Sequence, residues 1–222
     1  MIDLYAWKTP ESFKASIMLE ELDMNYCVNP VDITHGEQNI PDFRALSPNG
    51  EIPVIVDNQS DVDRVFEPGA ILIYLAEKAG KLLPPDPIPH YEALAWTFFE
   101  ASYLKPMTDQ MEHFEQETED SSPKLIERYR DEVLRLLEVL NGRLGFHPYL
   151  AGMDYSIADI ANYPRTRFAV TALEKAGHQD AIAAMKPLLS WLERVESRPA
   201  VQRGINVPTE DTMADVSEEF ES

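Results

Sequence analysis

The sequence predicts a chain of two parts, an α/β domain followed by an all-helical domain. Strand-like and helix-like segments alternate over the first 80 residues, and only helical patterns follow the proline-rich stretch LLPPDPIP. We therefore expect a domain over residues 1–80, a linker over 81–90 and a helical domain over 91–207. Residues 208–222 are rich in acids and contain no base, which predicts a solvated, disordered tail.

The first half of the α/β domain is predicted to be a βαβ unit. IDLYAW (2–7) and NYCVNPV (25–31) are strand-like, and SFKASIMLEEL (12–22) between them has its apolar residues at helical spacing. A polar stretch from Gly36 to Pro48 follows, for which we expect irregular structure.

The second half is predicted to be a ββα unit. IPVIVD (52–57) and RVF (64–66) are separated by turn residues, as in a hairpin. A helix is expected to begin at Pro68, because the first helical residue has no intrahelical acceptor for an amide hydrogen. The order βαβββα is typical of a thioredoxin-like domain.

Composition limits the classes of partner and the compartment. The 222 residues include 19 basic and 39 acidic residues, a formal charge of −20, which argues against nucleic acid or an anionic membrane as partner. The single cysteine, Cys27, excludes an internal disulfide, fits a reducing cytoplasm and is expected to be buried and inert. We see no signal peptide, membrane span or metal-binding motif.

The helical part offers one apolar stripe and one capping motif. Ser156 and Asp159 have the spacing of a capping box, which predicts a structural rather than a catalytic role. Apolar residues that recur at helical spacing are expected to be mostly core, with Tyr103 and Met107 the better candidates for a pocket. The stripe comprises Trp96, Tyr103, Met107, Met111 and Phe114.

Several motifs in the correct order resemble the glutathione transferase superfamily. They are IPVIVD, FEPGAILIYLAEK, YSIADI and WLERVESRPAVQRG. The resemblance extends to about residue 204, and TP, GEQ and SPNGEIP are most similar to the bacterial nu class and the related fungal nitrogen-regulator-like group. It implies a thioredoxin-like domain with a C-terminal helical bundle, glutathione as cosubstrate, and a homodimer.

The resemblance also implies which residues bind glutathione. Thr9 would contact the sulfur, Gln38 the glycyl end, Ile52 before a cis Pro53 the cysteinyl backbone, and Glu67 the γ-glutamyl amine. A substrate pocket would involve Trp7, Tyr103, Met107 and Met111.

Three positions depart from the family pattern. Glu11 stands where an asparagine amide would face the sulfur, and a carboxylate would repel a thiolate. Glu51 replaces a lysine for the glycyl carboxylate, and Pro68 replaces a serine that would donate to the γ-glutamyl carboxylate. Lys8 and Lys14 are compensating charges or simply exposed ones, and Ser12 is a hydroxyl donor to substrate or a helix cap.

Two classes of function therefore remain open. The leading hypothesis is a glutathione transferase-like enzyme that conjugates electrophiles or reduces disulfides through an altered site. The alternatives are a non-catalytic binding or regulatory protein on the same scaffold, and an enzyme that uses another cosubstrate. Fold alone does not decide between them.

Overall fold

A computed structural model of the 222-residue chain describes residues 1–116, 122–210 and 212–213. The chain divides into two compact units. The first contains Met1–Lys81 and the segment that begins at Ser197, and the second is Leu82–Glu196. Most of the expected acidic tail, 208–222, lies outside the described residues.

The first unit contains a four-stranded sheet in the order β2-β1-β3-β4. β1 pairs parallel to β2 and antiparallel to β3, and β3 pairs antiparallel to β4. The predicted βαβββα domain is therefore confirmed. Its elements are β1 (Ile2–Ala6), α1 (Pro10–Glu21), β2 (Tyr26–Pro30), α2 (Pro41–Leu46), β3 (Val54–Asp57), β4 (Arg64–Phe66) and α3 (Pro68–Ala79).

The stretch expected to be irregular, Gly36 to Pro48, contains a 3₁₀ turn at Glu37–Asn39 and the short helix α2. Pro41 occupies the first turn of α2, where its fixed φ favours helix initiation. Phe43 anchors this segment because its ring is buried against Val31, Ile52 and Val54. The sequence did not predict this helix because the segment is polar and only one side chain of α2, that of Phe43, is deeply buried.

The C-terminal helix α10 (Pro199–Gly204) packs on α1, inside the first unit. Ser16 Oγ donates to the carbonyl oxygen of Gly204 at 2.7 Å, and Arg198 forms a two-pronged ion pair with Glu21. A Cβ on Gly204 would lie only 2.6 Å from Ile17 Cα, so the two helices are in backbone contact. The helical unit therefore ends at Glu196 rather than at the expected residue 207.

The second unit is all helical, as predicted. Helix α7 (Ile157–Lys175) begins with the expected capping box: Asp159 accepts from the main-chain N–H of Ser156 at 3.0 Å and Ser156 caps the helix. The α-helices of the second unit are α4 (Pro87–Phe99), α5 (Lys105–Gln116), α6 (Pro123–Leu144), α7 (Ile157–Lys175), α8 (Gln179–Ala184) and α9 (Lys186–Glu196).

Cys27 is exposed, so the expectation that it is buried is wrong. β2 is an edge strand, and edge strands have a neighbour on one side only. Within the described ranges, the helices are all too short or too polar to cross a membrane.

Candidate functional site

Thr9 caps α1 at the end of the first strand, where the sequence predicted the chemistry. Its Oγ1 accepts from the N–H of Ser12 at 3.2 Å and lies 3.2 Å from Ser12 Oγ, which also accepts from the N–H of Trp7. Thr9 is half-buried, whereas Ser12 is fully buried. The cap is therefore Thr9 and not Ser12. Ser12 is placed to hold the Thr9 hydroxyl rather than to meet a substrate.

Glu11 is paired with a buried lysine. Lys14 Nζ lies 2.6 Å from Glu11 Oε2, and the side chains are 1% and 10% exposed, respectively. Of the two alternatives expected for Lys14, an exposed charge is wrong, and a charge that compensates Glu11 agrees with this ion pair. A cation this close offsets the carboxylate, so Glu11 does not present an uncompensated negative charge at the start of α1.

Ile52 and Pro53 are buried and joined by a cis peptide bond. The Ile52 side chain belongs to a small core that also contains Val54 and Phe43. The half-buried Trp7 packs against the same small core as Ile52. Across the described chain, we find no hydrogen bond to the main-chain N–H or C=O of Ile52, which leaves both able to pair with an extended peptide.

The loop before Ile52 carries Glu51 and lies beside Gln38. The Glu51 side chain is exposed, while its main chain is held by Ser47 through bonds of 3.1 and 2.8 Å. Gln38 Nε2 makes only a long contact of 3.5 Å with the carbonyl of Ile33. Gln38 Oε1 is buried and, among the residues described, has no hydrogen-bond partner.

Glu67 and Pro68 begin α3 in an unusual conformation. Glu67 has φ +70° and ψ 121°, a region that side chains rarely adopt, and its carboxylate is exposed. Pro68 is the first helical residue, as predicted, and Ile71 N–H makes the first helical bond, to Glu67 O at 3.0 Å. Among the described residues, no acceptor is hydrogen-bonded to the N–H groups of Gly69 and Ala70, so both remain available as donors at this helix start. Pro68 removes one donor but does not abolish the anion-binding character of the helix end.

The residues expected in a substrate pocket have different environments in the helical unit. Met111 is completely buried and belongs to the core, so it cannot line a pocket. Met107 lines a groove of about 1080 Å³ together with Leu125, Tyr129 and charged residues of α6. Tyr103 is 55% exposed.

Tyr103 lies on a π-helical segment, Glu100–Leu104, which sequence reasoning missed. Lys105 N–H bonds to Glu100 O, five residues back. The available signal was Pro106: it has no N–H for the carbonyl of Ser102, and its ring would clash with that carbonyl in a regular α-helix. Widening the helical turn by one residue avoids this clash. Such π-helical segments are frequent at functional sites.

Known proteins share this architecture along nearly the whole chain. The family model for the glutathione S-transferase N-terminal domain matches residues 2–77, and the model for the C-terminal domain matches residues 92–199. The disulfide-bond oxidoreductase YfcG of Escherichia coli (strain K12) is 41% identical over 92% of this chain and 94% of its own length.

Solved structures agree. A glutathione transferase from Burkholderia graminis, with two glutathione molecules bound per subunit, has a TM-score of 0.88 and 37% identity over 94% of this chain and 89% of that one. One from Pseudomonas putida, with one glutathione disulfide bound per subunit, has a TM-score of 0.84 and 37% identity over 93% and 91% of the two chains. The fold and the site thus define a glutathione transferase-like protein. This chain belongs to the glutathione S-transferase family.

The described residues contain no group of three or more histidine, cysteine or acidic side chains that could hold a metal ion. The candidate site consists of the N-terminal ends of helices α1 and α3 and of the loops around Gln38 and Ile52.

Proposed function

We propose that the first unit binds glutathione and that the protein uses the bound thiolate to reduce small disulfides, with conjugation to electrophiles as the related activity. The observation that carries the proposal is the ion pair between Glu11 and Lys14. An unpaired carboxylate beside the sulfur would raise the pKa of the thiol, and the paired one removes that objection.

On the sulfur side, Thr9 is the proposed donor. The Thr9 hydroxyl donates to Ser12 Oγ across 3.2 Å. Because hydroxyl hydrogens rotate, Thr9 can turn this hydrogen toward a thiolate when glutathione binds. The N-terminus of α1 adds a favourable dipole, since thiolates are stabilised at helix N-termini. Thr9 would thus act directly on sulfur, and Ser12 would be a positioning residue.

The rest of the tripeptide has a receptor for each group. The main chain of Ile52 would pair with the cysteinyl backbone, and the amide of Gln38 would contact the glycyl end. The exposed Glu67 carboxylate would bind the γ-glutamyl amine. The free N–H groups of Gly69 and Ala70 would bind the γ-glutamyl carboxylate in place of the serine that Pro68 replaces.

The proposed reaction needs two glutathione molecules per disulfide. The first thiolate attacks one sulfur of the substrate, forming a mixed disulfide and releasing a substrate thiolate, which takes up a proton. The second thiolate attacks the glutathione sulfur of the mixed disulfide, which forms glutathione disulfide and releases the other substrate thiolate, and this thiolate takes up a proton. The chain's only cysteine, Cys27, lies opposite Asp3 near the start of β2, so it is not placed to replace either thiol.

Calorimetric titration with reduced glutathione at pH 7 and pH 5 tests binding, and a coupled assay with bis(2-hydroxyethyl) disulfide, glutathione reductase and NADPH tests the reaction. We expect submillimolar binding at pH 7 and turnover that Thr9→Val abolishes and Thr9→Ser largely retains. Binding without turnover of disulfides or electrophiles would favour the non-catalytic alternative. No binding at either pH would favour a different cosubstrate or a regulatory role.

We also propose that the protein forms a homodimer. Helix α4 carries an exposed apolar stripe of Ile88, Tyr91 and Phe98, which are 82%, 68% and 59% exposed. In the first unit, Val62 and Phe66 are exposed apolar residues near β4. Such surfaces usually mark protein interfaces. Sedimentation equilibrium should give twice the chain mass, and Tyr91→Glu should shift it toward the monomer.

A further inference from the structure

Arg44, in the last turn of α2, lies over Gly50. Its Nη1 donates to the main-chain oxygen of Asn49 at 2.9 Å. A Cβ on Gly50 would overlap Nη1 and would come within 3.2 Å of Arg44 Cδ. Gly50 also has φ +72°, which favours glycine. Position 50 therefore favours glycine for two reasons. One is the positive φ, and the other is that a larger residue would occupy the space of the Arg44 side chain.

The guanidinium lies beside the residues proposed to contact the glycyl end of glutathione. The main-chain oxygen of Gln38 lies 3.1 Å from the same Cβ position on Gly50, so Arg44 and Gln38 approach one glycine. Gly50 is followed directly by Glu51 and Ile52. Ser47, itself 1% exposed, holds the main chain of Glu51 on both its N–H and its carbonyl. These hydrogen bonds fix the main chain of the loop at the edge of the site.

Within the part of the chain that the structure describes, Arg44 is also a cation without a carboxylate partner. Arg198 and Arg203 of the same unit pair with Glu21 and Glu20. Among the described residues no carboxylate lies within 4 Å of Arg44, although the chain has 39 acidic residues. The contact with Asn49 uses one N–H of a group that carries five, and the side chain is exposed. A guanidinium fixed in this way can bind a carboxylate with two parallel hydrogen bonds.

We propose that Arg44, seated on Gly50, is the receptor for the glycyl carboxylate of glutathione and makes the site specific for a tripeptide whose C-terminal carboxylate is free. The proposal rests on the proposed function. It explains how a site with Glu51 in place of a lysine can still hold an anion: the positive charge comes from α2 and not from the loop. Glu51, with its side chain exposed, would point its charge into solvent.

The test compares two ligands that differ only at the carboxylate, glutathione and glutathione glycyl monoethyl ester. Titration calorimetry of the full chain should show that the wild type binds glutathione at least tenfold more tightly than the ester, the factor expected for one charge-assisted contact. Arg44→Gln should lose about tenfold in affinity for glutathione and little for the ester. Lys81→Gln, which removes an exposed cation from the same unit, should change neither affinity.

A second variant tests the role of Gly50. Gly50→Ala should displace the guanidinium and reduce the preference for glutathione over the ester in the same way, while Arg44→Lys should keep part of it. Circular dichroism establishes that each variant is folded.

Three results would overturn the proposal. Equal losses for both ligands in Arg44→Gln would mean that Arg44 acts elsewhere. A wild type that binds both ligands without preference, or prefers the ester, would refute the inference and leave the proposed function standing. A wild type that binds neither ligand would remove the proposed function as well.

Discussion

Nζ of Lys14 lies 2.6 Å from Oε2 of Glu11, one helical turn earlier, and both side chains are withdrawn from solvent. Glu11, which was expected to repel a thiolate, is therefore one member of an ion pair. A buried ion pair is costly to break on one side only, because the remaining charge is left without compensation.

Lys14→Met should accordingly lower the free energy of unfolding by about 3–5 kcal/mol, the usual cost of removing one partner of a buried pair. Urea denaturation monitored by circular dichroism measures it. The double variant Lys14→Met with Glu11→Gln should recover part of the loss, since no buried charge is then unpaired. A single variant as stable as the wild type would show that the pair is not buried in solution.

Replacing Pro68 by serine should strengthen glutathione binding. The serine supplies a main-chain N–H and a hydroxyl at the start of α3, and one additional charge-assisted hydrogen bond of about 1.5 kcal/mol corresponds to roughly tenfold in affinity. Calorimetry measures the change. Pro87→Ser is the matched control, because Pro87 is the first residue of α4, in the other unit. An affinity that stays the same in both variants would place the γ-glutamyl carboxylate away from α3.

Met107 and Met111 should separate binding from stability. Met111→Ala should cost about 2–5 kcal/mol of stability, because it opens a cavity in the core. Met107→Ala, which changes the wall of the groove, should cost less stability and raise the KM for an apolar second substrate. Thermal unfolding and steady-state kinetics are the two measurements. The reverse pattern would assign the groove no part in substrate binding.

Gly204 should not tolerate a side chain. Gly204→Ala forces a Cβ against the backbone of Ile17 and should destabilise the fold by about 1–3 kcal/mol, as overpacking does. Gly142→Ala, where a Cβ meets nothing within 4 Å on α6, should instead stabilise the protein by about 0.5–1 kcal/mol. Chemical denaturation of the two variants should therefore give changes of opposite sign. If Gly204→Ala were neutral, α10 would not contact α1 closely.

The capping carboxylate of α7 should give a pH signature. Burial raises the pKa of Asp159 to about 6, against hydrogen bonds from Leu150, Trp191 and Ser156 that lower it. A raised carboxyl pKa contributes stability that is complete below the unfolded value of 3.8 and is lost as the pH rises through 6. Asp159→Asn cannot titrate, so the wild type should gain stability relative to it between pH 7 and pH 5. Urea denaturation of both proteins at the two pH values measures the unfolding free energy of the wild type minus that of Asp159→Asn. If this difference decreases on acidification, the hydrogen bonds outweigh burial.

The sequence by itself predicted the βαβββα order of the first unit, the proline at the start of α3 and the capping box of α7, but not α2 or the π-helical segment. Each of these depends on residues within a turn or two: a hydrophobic period, a missing amide hydrogen, a serine three residues before an aspartate. The motifs that identify the family are local in the same sense, so they could be found without coordinates.

Burial and pairing were decided only by the tertiary structure. Met107 and Met111 are one turn apart on the same stripe, yet one lines a groove and the other fills the core. The helix pattern shows which face is apolar but not which part of that face another helix covers. The same holds for the cations Lys14 and Arg44. Folding buries Lys14 beside a carboxylate, and it places Arg44 over a glycine with no carboxylate partner among the described residues. This placement determines what each charge can do.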